Sequence, residues 1–313
     1  MAATSLPAQV AVIGNGIMGH GLAEVFAVSG TPTTLIGRRQ ESLNASIARI
    51  EVSLARFTAE GLMAEQEAAS ALTRITPTLA LEDAAGAELV IEAVTEDVAL
   101  KEEIFKELDR LCPPPAVLAS SSGQPISNLT ARVEHRERTI ATHFWNPPQL
   151  IPLVEVCASS ETDPAVVPWV CGVLERVGKQ PVVLEREIDG FIGNRLQFAL
   201  LREAVSLWAS GVASAEAIDQ AVKASFGRRL SVTGPLESAD IGGLETMEAF
   251  ARFLFPDLNT SGEPPPKMAQ AIADAGADMP AMSQLSGRTP EAVLDERMAE
   301  LFRQLRQDQT AGA

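Results

Sequence analysis

Residues 9–36 constrain the chain more than any other stretch. Gln9-Val-Ala-Val-Ile-Gly14 is a short apolar run that passes directly into Gly14-Asn-Gly16-Ile17-Met18-Gly19. Gly21 to Gly30 carries apolar residues at helical spacing and stops on glycine, and Thr33-Thr-Leu-Ile36 reads as a second strand. Strand, glycine turn, helix and strand in that order predict a βαβ unit and hence a parallel sheet. Each glycine has its own task there. Gly14 permits the tight turn, Gly16 lets backbone approach a pyrophosphate, and Gly19 lets the helix pack on the strand. The amides of Ile17 and Met18 open the helix and face the negative phosphates. A tight turn alone would explain any one glycine; the flanking elements make this a dinucleotide site.

The end of the second strand discriminates between cofactors. NAD binders usually place an acid there to hold the ribose 2′-hydroxyl. This chain has Gly37-Arg38-Arg39. Two guanidiniums and no acid suit a 2′-phosphate, so NADP is expected over NAD, against the plainer reading of a solvated basic turn.

The rest of the first half continues the alternation. A helical segment fits residues 40–70, and strands fit Arg74–Thr78 and Ala87–Val94. An amphipathic helix over Glu96–Leu111 is stopped by Pro113, Pro114 and Pro115. Ala116–Ala119 leads into Ser120-Ser121-Ser122-Gly123, and Thr139–Thr142, Leu153–Val156 and Gln180–Leu184 are further strands. The expected class is α/β: a doubly wound, Rossmann-type NAD(P)-binding domain over residues 1–188. From Gly190 the β signals vanish. Helices fit 191–211, 214–225, 241–254 and 289–307, with a loop at Pro264–Pro266. That predicts an all-α substrate and dimerisation domain over 189–313, its apolar faces forming a homodimer. A chain of 313 residues exceeds what one core usually carries.

Bulk properties exclude several partners. A formal charge of −16 repels phosphate backbones, so nucleic acid is not an expected partner. No apolar run reaches the roughly 18–20 residues that span a membrane. The opening Met-Ala-Ala-Thr-Ser-Leu-Pro has neither a basic region nor an apolar core, and no secretion signal is expected. Cys112, Cys157 and Cys171 have no metal-ligand spacing. They read as small core residues in a reducing cytoplasm, with no metal.

Within this frame, residues 143–156 carry the chemistry: His-Phe-Trp-Asn-Pro-Pro-Gln-Leu-Ile-Pro-Leu-Val-Glu-Val. The chain has only three histidines, and one opens this segment. Glu155 sits in an apolar, β-branched strand, where a half-buried carboxylate needs compensation. A histidine supplies it, and an imidazole oriented by Glu is a general acid/base near neutral pH. A core histidine satisfied by backbone is the competing reading for His143. His20 and His135 read as solvated or locally bonded.

Four features together resemble the 3-hydroxyacyl-CoA dehydrogenase family along nearly the whole chain. They are the Gly-Asn-Gly-Ile-Met-Gly turn, the His-Phe-Trp-Asn-Pro-Pro block with Leu-Val-Glu-Val, Gly190-Phe-Ile-Gly-Asn194-Arg195, and Gly234-Pro-Leu-Glu. The resemblance implies oxidation of a secondary alcohol with hydride transfer to nicotinamide, and a dimer through the helical domain. The family's catalytic pair falls on His143 and Glu155, its active-site serine on Ser122 and its asparagine on Asn194. These last two would bind substrate oxygens, although a turn serine and a helix-capping asparagine are the simpler readings. Cofactor contacts carry over to Glu96, Lys101 and Asn146.

The chain departs from the family in three places. Gly37 replaces the acid. The region Phe57–Glu67 is acidic and lacks the lysines that meet CoA phosphates in acyl-CoA members. Arg229 stands where the gulonate and carnitine dehydrogenase branch has an arginine, and a guanidinium binds a free carboxylate bidentately. A surface arginine at a helix end is the alternative. The expected substrate is therefore a small molecule, a 3-hydroxy acid or similar compact alcohol. A 3-hydroxyacyl-CoA thioester is the second reading. A non-catalytic, lambda-crystallin-like dinucleotide-binding protein is a distant third.

Overall fold

The computed structural model describes residues 5–275 and 288–311. The chain divides into two compact units, Met1–Ile192 with Leu301–Ala313, and Gly193–Glu300. The first is built on one sheet of eight strands: β1 (Val10–Ile13), β2 (Thr33–Ile36), β3 (Ile75–Thr78), β4 (Leu89–Glu92), β5 (Val117–Ser120), β6 (Thr139–Phe144), β7 (Leu153–Cys157) and β8 (Gln180–Leu184). Their order is β3-β2-β1-β4-β5-β6-β7-β8, parallel from β3 to β6. β7 then reverses against β6, and β8 runs parallel to β7. Helices α1 (Ile17–Val28), α2 (Gln40–Ala59), α3 (Glu65–Thr73), α4 (Val98–Leu111), α5 (Ile126–Leu129) and α6 (Val166–Arg176) make the connections.

The doubly wound α/β class expected from the sequence is the one found. Along β1, Val10 and Val12 join one core layer with Phe26 and Leu35. Ala11 and Ile13 join the opposite layer with Phe105 and Leu108. Both faces of the sheet are covered, and this is why its strands read as unbroken apolar runs rather than alternating ones. β1 lies between β2 and β4, so the winding direction changes there. A crevice beyond the carboxyl ends of such strands is where ligands bind in open α/β sheets.

The second unit is helical. It holds α7 (Phe191–Ala209) from Gly193 onward, α8 (Ala215–Ala224), α9 (Pro235–Gly242), α10 (Leu244–Leu254), α11 (Pro266–Ala275) and the start of α12 (Pro290–Ala311). No helix among the described residues is long and apolar enough to cross a membrane.

The structure departs from the expected elements in several places. The single helix expected over 40–70 is two, interrupted at Gly61 with φ +71°. Gly243, at φ +84°, likewise separates α9 from α10. Glycine enters that conformation without the steric cost other residues meet. Neither α6 nor α11 was expected. Their prolines, Pro168 and Pro266, lie in the first turn, where a missing N–H costs nothing. The two units part after Ile192 instead of 188, and the chain from Leu301 groups with the sheet unit rather than the helical one. Phe302 explains the second difference. It is buried, its ring meets Phe57 edge-on at 5.1 Å, and the Arg56 guanidinium lies 5.0 Å above it. Arg306 also pairs with Glu60.

α1 carries an acid, Glu24, that is 1% exposed. Ser53 on α2 donates to its Oε1 at 2.7 Å, and its Oε2 has no partner among the described residues. Burial pushes this carboxyl up to about 8, and burial likewise lowers the nearby Lys179 to about 8. Because the folded value of Glu24 lies above its ordinary 4.5, the protonated acid stabilises the fold fully below that value. The stabilisation is lost as pH rises toward about 8. Melting followed between pH 5 and 7.5 should therefore show stability falling. Glu24→Gln, which mimics the protonated acid, should flatten the slope. Parallel slopes for the two proteins would mean that Glu24 is ionised in the fold.

Candidate active site

The glycine turn leaves the carboxyl end of β1, and each glycine has its own structural reason. Gly14 has φ +103°, and a Cβ there would lie 2.6 Å from the Ala93 carbonyl oxygen. A Cβ on Gly19 would lie 1.8 Å from the Gly14 carbonyl, so only glycine lets α1 sit so close to the turn. Gly16 is the opposite case: nothing stands within 4 Å of its added Cβ, and this open space is where a bound group can approach the backbone. The N-terminus of α1 has no side-chain cap, and Ile17 is exposed. Uncapped amides beside open space fit the diphosphate of a dinucleotide.

The antiparallel register of β6 and β7 places His143 directly opposite Glu155. The spacing of twelve residues is thus a cross-strand pair. His143 Nδ1 and Glu155 Oε2 are 2.8 Å apart. The carboxylate is 1% exposed, fully rather than half buried, and it takes more than the imidazole to compensate it. Trp145 Nε1 donates to Oε2 at 3.2 Å, and the Ile192 amide in the first turn of α7 donates to Oε1 at 2.8 Å. These donors and the favourable end of a helix dipole replace lost water. A carboxylate can only accept, so Nδ1 carries the proton and Nε2 presents its lone pair. Nε2 has no hydrogen-bond partner among the described residues. The ring is held by Trp145 at 5.7 Å and by the buried Phe191 at 5.8 Å. Phe191 itself adopts φ +48°, a conformation that costs a side chain about 1–2 kcal/mol.

Beside this pair, the ends of β4 and β5 bring together Glu96, Ser122 and Gln124. Ser122 Oγ donates to Glu96 Oε2 at 2.8 Å, and Gln124 Nε2 donates to the same oxygen at 3.1 Å. Ser122 follows β5 and His143 lies on the adjacent parallel strand β6, so both stand near the carboxyl ends of neighbouring strands. Lys101 is placed differently from an open contact residue. Its side chain is 1% exposed, and its Nζ lies 2.8 and 3.0 Å from the two oxygens of Glu92 and 3.6 Å from Glu96.

Glu92 itself escaped the sequence reading. It ends β4, is fully buried, and also accepts from Ser120 Oγ at 2.7 Å and the Val94 amide at 2.6 Å. The signal was available in Leu-Val-Ile-Glu, an acid closing a continuous apolar strand.

The other expected site residues are more dispersed. Asn146 is exposed after β6, preceding a cis peptide bond to Pro147. Arg38 and Arg39 are exposed after β2, with no ion pair among the described residues. Asn194 stands in the first turn of α7, within the second unit, and Arg229 follows the short helical turn Phe226–Arg228 of the same unit. Arg229 is exposed and its guanidinium has no partner among the described residues. His20 Nδ1 bonds the Gly16 carbonyl at 2.8 Å, a local contact. Cys112 and Cys157 are buried core thiols, and Cys171 is half-buried.

Comparison with known proteins matches two family models along the chain. Residues 9–188 match the 3-hydroxyacyl-CoA dehydrogenase NAD binding domain, and residues 190–282 match the C-terminal domain of the same family. A probable 3-hydroxybutyryl-CoA dehydrogenase of Bacillus subtilis is 35% identical over 86% of this chain and 92% of that protein. The 5-formyl-3-hydroxy-2-methylpyridine 4-carboxylate 5-dehydrogenase of Mesorhizobium japonicum is 32% identical over 84% of each chain. A crystal structure of an enzyme of that last description, an NAD+-dependent dismutase, superimposes with a TM-score of 0.84 at 29% identity, covering 96% of this chain and 97% of the other.

Proposed function

The chain belongs to the 3-hydroxyacyl-CoA dehydrogenase family, and from that membership we propose that it oxidises the secondary alcohol of a small 3-hydroxy acid with His143 as its proton-transfer group. The bonded His143–Glu155 pair is the observation that carries this reading. The chemistry a bound nicotinamide supplies is acceptance of hydride. His143 Nε2 takes the hydroxyl proton as the carbinol carbon loses hydride, and returns it in reduction. Glu155 keeps Nδ1 protonated and stabilises the imidazolium that forms. Ser122 and Asn194 hydrogen-bond substrate oxygens and hold the carbinol carbon in place. Glu96 and Asn146 line the cofactor side, with Gly14, Gly16 and Gly19 beneath the diphosphate, and the buried Lys101 acts from behind them through its pairs with Glu92 and Glu96.

Three observations support a free acid over a thioester. The α2–α3 region carries Glu60, Glu65 and Glu67 and no lysine, a poor setting for CoA phosphates. Arg229 has a guanidinium that no acid pairs with among the described residues, left open for a carboxylate. The pyridine carboxylate dehydrogenase matches the backbone over nearly the whole chain. A CoA thioester is the second reading, favoured by the Bacillus relative. Steady-state turnover of matched free acids and CoA thioesters, each with saturating cofactor, separates the two. Higher kcat/KM for the free acids is expected; at least tenfold higher values for the thioesters would reverse the assignment, and no turnover of either would refute both.

Arg38 and Arg39, exposed and without an ion pair among the described residues, favour NADP over NAD. The three free thiols suit a reducing cytoplasm. The helical unit is read as a dimerisation surface, because α8, α9 and α10 bury no residue while Leu236, Ile241, Phe253 and Phe255 are at least 68% exposed. Exposed apolar faces of this extent mark association surfaces. Sedimentation as a monomer at micromolar concentration would exclude the homodimer.

A further inference from the structure

We infer that Arg49, anchored by Asn15 and Ser46, supplies the fixed guanidinium of a subsite for the ribose 2′-phosphate of the cofactor, beside the freer Arg38 and Arg39. This rests on the NADP reading above and deepens it.

The first observation concerns the absent acid. A Cβ on Gly37 would lie 2.9 Å from Asn15 Oδ1 and 2.8 Å from Leu43 Cγ. The space an acid side chain would enter at this position is already filled, partly by the amide of Asn15. Asn15 itself lies inside the glycine turn, between Gly14 and Gly16, so the turn and the end of β2 are in direct contact.

The second observation is how firmly that contact is held. Asn15 Nδ2 donates to Ser46 Oγ at 3.1 Å, and Ser46 Oγ donates back to the Asn15 carbonyl at 2.6 Å. Ser46 is fully buried on α2. A buried serine bonded to both ends of one residue fixes the turn against the helix.

The third observation is the charge. Arg49, one helical turn beyond Ser46, donates through Nη2 to the Asn15 carbonyl at 3.1 Å and to Ser46 Oγ at 2.9 Å. Its side chain is exposed, its Nε and Nη1 have no hydrogen-bond partner, and no carboxylate pairs with it among the described residues. In a chain with 41 acids and 25 bases, three such unpaired arginines around one turn are a local reversal of sign. The ribose 2′-position of a dinucleotide lies at this junction of second strand and glycine turn. A 2′-phosphate there meets a guanidinium already oriented by two bonds, so less side-chain entropy is lost on binding than with Arg38 or Arg39.

The test measures binding without turnover. Calorimetric titration compares adenosine 2′,5′-bisphosphate with AMP, which lacks only the 2′-phosphate, on the full chain. The expected result is tighter binding of the bisphosphate by the natural protein. Arg49→Gln should weaken it about tenfold while AMP affinity stays within twofold. Arg49→Lys, which keeps the charge and loses the fork, should fall between. If Arg49→Gln leaves bisphosphate affinity within twofold while the double change of Arg38 and Arg39 to Ala lowers it, the inference is wrong and the NADP reading stands. If the natural protein binds both probes equally, the NADP reading fails and the subsite falls with it.

Discussion

Replacing His143 with alanine should lower turnover roughly a hundred- to ten-thousand-fold, the range a positioned general base contributes. Cofactor affinity should stay within about a factor of two. The asymmetry follows from placement. His143 is a cross-strand partner of Glu155 on β6 and β7, whereas the glycine turn leaves β1, three strand positions away. Removing the ring takes away the proton acceptor and leaves Gly14, Gly16 and Gly19 untouched. It also leaves the Glu155 carboxylate with Trp145 and Ile192 as donors, so the strand pair keeps most of its compensation. Single-turnover measurements with a good substrate, paired with cofactor titration, separate the two effects. Turnover within threefold of the natural protein would remove His143 from the mechanism. A parallel loss of cofactor affinity would point to a collapsed sheet edge.

The second large effect is on stability. Glu92→Ala should destabilise the fold by about 3–5 kcal/mol, because it leaves the buried ammonium of Lys101 with only the longer, solvent-exposed pairing to Glu96 at 3.6 Å. Ser120 and the Val94 amide lose an acceptor at the same time. For a unit of this size that corresponds to a fall of roughly 10 °C in melting temperature. A companion variant distinguishes charge burial from simple loss of packing. Glu92→Leu combined with Lys101→Met replaces the pair with apolar groups of similar volume, and it should recover most of the lost stability. Thermal denaturation of both proteins decides the matter. A loss under about 1 kcal/mol for Glu92→Ala, or no recovery in the double variant, would contradict the assignment of Glu92 and Lys101 as a mutually dependent pair.

Much of the molecule was legible in the chain. The glycine turn, the apolar strands and the loss of β signals after Gly190 predicted the doubly wound sheet and the helical unit. The pairing of His143 with Glu155 was legible because a lone acid on an apolar strand demands a partner. Other features left no such mark. α6 was hidden by β-branched residues and a proline, both of which belong equally to strands and loops. α2 and α3 looked continuous because a single glycine at positive φ leaves the flanking periodicity unchanged. Glu92 stood in plain view at the end of Leu-Val-Ile-Glu, but its partner Lys101 lies nine residues on, across a turn and on another element.

The sequence by itself determined the fold class, the dinucleotide turn and the pairing of His143 with Glu155. These rest on local pattern: glycine where backbone must bend or approach, apolar runs where a strand is covered on both faces, and a carboxylate whose burial requires a donor. Tertiary structure alone decided how that carboxylate is satisfied, by Trp145 and by the first turn of α7 as well as by His143. It decided that Asn15 fills the space beside Gly37 and orients Arg49, and that Phe302 returns the end of the chain to Phe57 in the sheet unit. Periodicity reports that a residue is buried or a polar group must be paired. Which distant group meets it depends on how the elements pack, and that information is spread over contacts far apart in the chain.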